Sequence, residues 1–227
     1  MFSSEARIRD SRWREPVRRI EAAALGLFWL GARALPPRRA ARTGARLFAW
    51  LGPRLRKQAF VRSNLARLFP AAGPARIEAL AREVWANFGA ILAEYPHLPR
   101  FCAPDPSPFL RVAIAPETRD IVSRREPAIY VAAHLANWEL ATAAIGRLGI
   151  ALSAVYAPQG NPHVDAMIQA RRAALGCRFV GKANCMRRLL SDLEAGRSVG
   201  MLPDQRTDAG ELVPFFGCPA PTTIGPA

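Results

Sequence analysis

Between residues 127 and 203 short apolar segments alternate with helical ones, and this constrains the fold more than any other feature of the chain. "AIYVAA" (128–133), "IALSAVY" (150–156), "CRFV" (177–180) and "SVGMLP" (198–203) read as strands. "NWELATAAIGRLG" (137–149), "PHVDAMIQARRAALG" (162–176) and "ANCMRRLLSDLEAG" (183–196) read as helices, the last two stopped by Gly176 and Gly196. Strand–helix repetition with short connections predicts an α/β fold with a mostly parallel sheet flanked by helices. Sites in such sheets gather at the carboxyl ends of strands. His134 follows the first strand directly and occupies that position.

Upstream, residues 75–95 predict a helix, with Ile77, Leu80, Val84, Phe88, Ile91 and Tyr95 at steps of three and four. Gly73-Pro74 supplies the break before it, and "PHLPRFCAPDPSPF" (96–109) reads as a proline-rich loop. The chain of 227 residues carries a formal net charge of +14, unevenly spread. Residues 1–72 hold sixteen Arg/Lys against four Asp/Glu, so the rest is nearly neutral. Two regions are expected: a basic amphipathic helical membrane-association region, 1–72, and an α/β domain, 73–227. A basic segment seeks anionic surfaces, whether lipid headgroups, acidic proteins or nucleic acid.

The longest uncharged run in the basic region, Ala22 to Ala32, has eleven residues. A spanning helix needs about 20. Arg18 and Arg19 precede it and Arg33, Arg38 and Arg39 follow, so a helix lying in the headgroup zone is expected. "ARA" (32–34) resembles a signal-peptide cleavage site, but Glu5, Asp10, Glu15 and Glu21 spoil the leader before it. Four cysteines without a C-x-x-C pair argue against a disulfide framework and fit a reducing compartment.

His134 and Glu139 stand five apart, about 140° around an ideal helix. They meet only if His134 lies in the turn and Glu139 in the first turn of the next helix. A carboxylate on one imidazole nitrogen fixes the tautomer and leaves the other to take a proton from a hydroxyl. The helix N-terminus beside them would favour developing negative charge. A capped helix beside a satisfied histidine is the competing reading. No metal is expected, because His97 and His163 lack metal-ligand spacing relative to His134. "GRSVG" (196–200) matches G-x-S-x-G, but a helix precedes Ser198 and a strand follows, the reverse of a nucleophile elbow. No nucleotide-binding glycine motif occurs and no cofactor is expected. "PFFG" (214–217) reads as core or as the wall of an acyl-chain site.

The blocks "AAHLANWELA", "YAPQGNP", "QARRAALG", "EAGRSVGMLPDQ" and "LVPFFGCPAPTT", with "RSNLARLFP" before them, resemble the bacterial lipid A biosynthesis acyltransferases. The resemblance runs from about Ile20 to the end. It implies an enzyme on the cytoplasmic face of the inner membrane that moves an acyl chain from acyl carrier protein to a hydroxyl of a lipid A precursor. Its partners would be that donor, the glycolipid acceptor and an anionic membrane surface, and not nucleic acid. By this likeness His134 and Glu139 are the catalytic pair, while Asn137, Arg171, Asp204 and Gln205 contact substrate. Acylation of another membrane glycolipid, or hydrolysis of a lipid or thioester by the same pair, are the alternatives. The family continues past "TTIGPA", so the sequence is expected to be C-terminally incomplete.

Overall fold

The computed structural model describes residues 4–103, 109–183, 185–204 and 210–222, with side chains from Arg14 onward. Five helices come first: α1 (Ser4–Arg33), α2 (Pro37–Leu51), α3 (Gln58–Leu68), α4 (Pro74–Glu94) and the short α5 (Leu98–Phe101). After α6 (Arg119–Arg124) the strands begin: β1 (Ile129–Val131), α7 (Glu139–Arg147), β2 (Leu152–Tyr156), α8 (Pro162–Arg172), β3 (Arg178–Gly181), α9 (Cys185–Glu194) and β4 (Ser198–Met201). A hairpin of β5 (Glu211–Phe215) and β6 (Cys218–Thr222) follows.

The four central strands form one parallel sheet in the order β1-β4-β2-β3. The α/β expectation is met, and each expected strand and helix is present with ends moved by a few residues. Gly176 takes φ +64° and Gly196 φ +81°, left-handed conformations that suit the ends of helical segments. The chain crosses from β1 past the place of β4 to β2 and β3, then returns. This puts the carboxyl ends of β1 and β4 side by side. Val131 pairs with Met201, so His134 and Asp204, each three residues further on, leave adjacent strands at the same height.

The two sheet faces are covered by different helices. Val199, Val155 and Val180 pack with Leu189 of α9. Tyr130, Leu152, Ala154 and Gly200 face Ala141, Thr142 and Ile145 of α7 across a cavity of about 50 Å³, with Trp138 at its strand-end mouth. Ser198 is buried, and its Oγ accepts a hydrogen bond from the Ala128 backbone N–H at 3.2 Å. The helix α9 precedes it, so the hydroxyl braces β4 against the start of β1.

The helical region joins the same core. Trp29 of α1 is 2 % exposed, stacks on Tyr95 at 5.7 Å and donates its Nε1–H to the Leu92 carbonyl. It clusters with Tyr95, Leu98, Phe101, Ala143 and Leu175. The segment expected as loop therefore begins as buried helical turns: His97, Leu98 and Phe101 are interior, and His97 Nε2 bonds the Ala32 carbonyl at 3.1 Å. Apolar residues won over the prolines here, because proline is tolerated in a first helical turn. Helices α2 and α4 cross on glycine: a Cβ on Gly44 would collide with the Gly89 carbonyl, and one on Gly89 with that of Gly44. The "PFFG" stretch is not core. It makes the β5–β6 turn, with Phe216 and Gly217 at positive φ and Phe215 and Phe216 exposed.

Among the described residues no helix is long and apolar enough to cross a membrane. Helix α2 buries Ala40 and Gly44 against α4 and exposes Arg38, Arg39, Arg42 and Arg46 on the opposite side. On α1, Ile20, Leu27 and Leu30 lie outward, each about two-thirds exposed.

Candidate active site

The turn between β1 and α7 is tight and strained. Leu135 N–H donates to the Ala133 carbonyl at 2.7 Å, and Ala136 takes φ +45°, a left-handed conformation costly for a residue with a Cβ. Asn137 closes the turn. Its Oδ1 accepts the Glu139 N–H at 3.2 Å and caps α7, while its Nδ2 donates to Glu94 Oε2 at 2.7 Å. Asn137 is buried, so its amide serves the scaffold on both sides. Leu140 and Ala141 N–H groups go to the Asn137 and Trp138 carbonyls. The first amides of α7 are thus engaged locally rather than offered to a developing anion.

His134 is held from the neighbouring strand. Asp204 Oδ1 lies 2.7 Å from His134 Nδ1, and Oδ2 accepts the His134 backbone N–H, also at 2.7 Å. An ionised carboxylate only accepts, so Nδ1 carries the proton and Nε2 is the basic nitrogen. The two side chains are about a quarter exposed, which leaves the pair at the surface of the site. Partial burial pushes the Asp204 carboxyl up, but the hydrogen bonds from the His134 ring and backbone outweigh it and hold the group below the usual aspartate range.

Glu139 stands in the first turn of α7 as expected, yet its carboxylate turns away from His134. It is 1 % exposed and meets Arg172 through three contacts: Nη2 to Oε1 at 2.6 Å, and Nε to Oε1 and Oε2 at 2.9 and 3.1 Å. Tyr95 Oη donates to Oε1 at 2.8 Å and Trp138 Nε1 at 3.1 Å. Such a fork on a buried carboxylate is among the strong protein hydrogen bonds. Burial, reinforced by the Glu139 charge, drives the Tyr95 hydroxyl well above its ordinary range, so it remains a donor. Burial lowers the basicity of Arg172, but Glu139 more than restores it. Burial also raises Glu94, against the opposing bond from Asn137. The expected direct pairing of His134 with Glu139 thus differs from the geometry. Local spacing permits it, but Arg172 and Asp204, brought in by α8 and β4, take the two partners first.

The expected substrate residues fall in three groups. Asp204 is in the site, on His134. Arg171 has its guanidinium 5.5 Å from the Trp29 ring, and the adjacent Arg172 makes the ion pair with Glu139. One residue on a helix turns the side chain by about 100°, and adjacent arginines carry no local mark of which one meets Glu139. Gln205 lies outside the described residues. Tyr95, Glu94, Trp138 and Arg172 were not singled out. Trp138 alone carried a signal, by standing inside the motif.

Elsewhere, Asn161 at the start of α8 accepts from the N–H groups of His163 and Val164 and donates to the Arg18 carbonyl and Glu21, while His163 Nε2 lies 2.8 Å from Glu15 Oε1. These contacts tie α1 to α8 behind the site. The family model described as bacterial lipid A biosynthesis acyltransferase matches residues 9–227. No curated protein matches the chain.

Proposed function

The chain belongs to the bacterial lipid A biosynthesis acyltransferases, and from this premise we propose that it transfers a fatty acyl chain from acyl carrier protein to a hydroxyl of a lipid A precursor, with His134 as general base. The observation that carries this reading is the double acceptance by Asp204. One carboxylate fixes both the backbone and the ring of His134, so that Nε2 is the nitrogen presented for proton transfer.

The steps follow from that tautomer. Nε2 takes the proton of the acceptor hydroxyl as its oxygen attacks the thioester carbonyl. Asp204, already ionised, stabilises the imidazolium that forms. The tetrahedral intermediate collapses, the C–S bond breaks, and the departing thiolate takes the proton back from Nε2. Glu139 and Arg172 neutralise each other beneath the turn and shape it. Donor and acceptor are both anionic, which matches the surplus of arginine in residues 1–72. The outward Ile20, Leu27 and Leu30 of α1 support docking of that region on the cytoplasmic face of the inner membrane, where its arginines reach phosphates.

The test is acyl transfer by the His134→Ala variant, with acyl carrier protein thioester as donor and a lipid A precursor as acceptor. A general base contributes about 10² to 10⁴ in rate, and a loss of that size is expected. Wild-type turnover in this variant would remove His134 from the mechanism. Fatty acid release with no acylated lipid would favour hydrolysis.

A further inference from the structure

We propose that Trp138 is a positioning residue that transmits the influence of Glu139 to His134; this rests on the reading of His134 as the base. Among the described residues the side-chain hydrogen-bond donors to the Glu139 carboxylate are Arg172, Tyr95 and Trp138, and the imidazole bonds Asp204 instead. Trp138 touches both. Its Nε1–H donates to Glu139 Oε1 at 3.1 Å, and its ring packs edge-to-face against the His134 ring, with centroids 5.1 Å apart and planes at 61°.

The stiffness of this link comes from its far end. Glu139 is buried and gripped by Arg172 at 2.6 Å, so the acceptor that anchors the indole is fixed in place. The Trp138 carbonyl accepts the Ala141 N–H, which fixes the backbone from which the indole projects. The indole is therefore held at its nitrogen and its backbone, and its ring packs beside the imidazole. Asp204 secures His134 from one side and Trp138 from another. Misplacing a reacting group by about 1 Å can cost on the order of 10² in rate. A glutamate can thus be required five residues from a catalytic histidine without bonding it.

A double-mutant cycle tests the route. Rates are measured for Trp138→Phe, Glu139→Gln and the double variant of the full chain, with His134→Ala alongside, using acyl carrier protein thioester and a lipid A precursor. Phenylalanine keeps a ring beside His134 but has no N–H for Glu139. Trp138→Phe should lower kcat about 10-fold with KM unchanged, the signature of a loss confined to the transition state. Glu139→Gln should cost about 10- to 100-fold in the wild-type background and less than about 3-fold further in Trp138→Phe, because the route is already cut. Equal losses in both backgrounds overturn the proposal. So does Trp138→Phe with wild-type kcat, or one that raises KM alone and so places the indole on substrate. The two Trp138→Phe readings need no stable Glu139 variant. If His134→Ala retains wild-type rate, the base assignment itself fails. If it is inactive while the cycle is additive, only the Trp138 route fails.

Discussion

Two carboxylates, one on the ring of His134 and one five residues after it, have different partners. Asp204 is about a quarter exposed and faces an imidazole, the group proposed as the base. Glu139 is buried and faces an arginine, which never changes charge. A carboxylate paired with a titratable partner can serve catalysis at each turnover. One paired with a permanent cation fixes a shape. Residue type does not separate these roles; the partner does, and each partner arrives from a distant strand or helix.

The largest expected effect attacks the first carboxylate. Asp204→Asn should lower kcat by up to about 10⁴, by analogy with the amide exchange in a serine-protease triad, while the midpoint of thermal unfolding stays within a few degrees. A variant that unfolds early but turns over normally would merge the two roles. The second attack should show the reverse weighting. Arg172→Met leaves a buried carboxylate unmatched and is expected to cost about 3–5 kcal/mol of stability. Adding Glu139→Leu to it should recover most of that loss, since apolar replacement of a buried pair is often neutral or better. Denaturant unfolding of the two proteins measures this, and no recovery would mean that the bonds from Tyr95 and Trp138 to Glu139 outweigh the ion pair.

Acid gives a finer separation. The folded Asp204 carboxyl lies below its unfolded value. Its contribution to stability is therefore complete above the ordinary aspartate range, near pH 4, and is lost as pH falls through the lower folded value. Asp204→Asn should show a weaker decline of the unfolding midpoint on that acid side than the wild type. Identical declines would detach Asp204 from His134. The smallest effect belongs to Glu94. Burial raises its pKa, so its ionised form weakens the fold above the folded pKa, and the penalty vanishes below the unfolded one. Glu94→Gln keeps an acceptor for Asn137 and should raise the neutral-pH midpoint by on the order of 2 °C. A lowered midpoint would show that the charge itself is needed there.

The alternation of β1 to β4 with α7, α8 and α9 was legible because period and punctuation are local properties. His134 in the strand-end turn followed from the same pattern. The choice between partners was not legible. Asp204 meets His134 because β4 inserts beside β1 with Val131 opposite Met201, and strand order leaves no trace in either segment. Arg172 rather than Arg171 meets Glu139 through the rotational phase of α8, which two adjacent residues of the same type do not reveal. Tyr95, expected only as the last apolar position of a helix, became a donor because α7 lies against that helix end. The proline-rich stretch misled for a different reason: prolines in first turns punctuate helices without preventing them.

The glycine crossing of α2 and α4 has a mechanical consequence. With Gly44 and Gly89 in backbone contact there is no side-chain cushion between the two rods, so they cannot slide or roll without a clash. They act as a single beam. One side bears Arg38, Arg39, Arg42 and Arg46; the end of α4 bears Glu94 and leads into Tyr95, the two residues that touch Asn137 and Glu139. A torque applied to the arginine side would be delivered to the floor of the histidine turn with little slack.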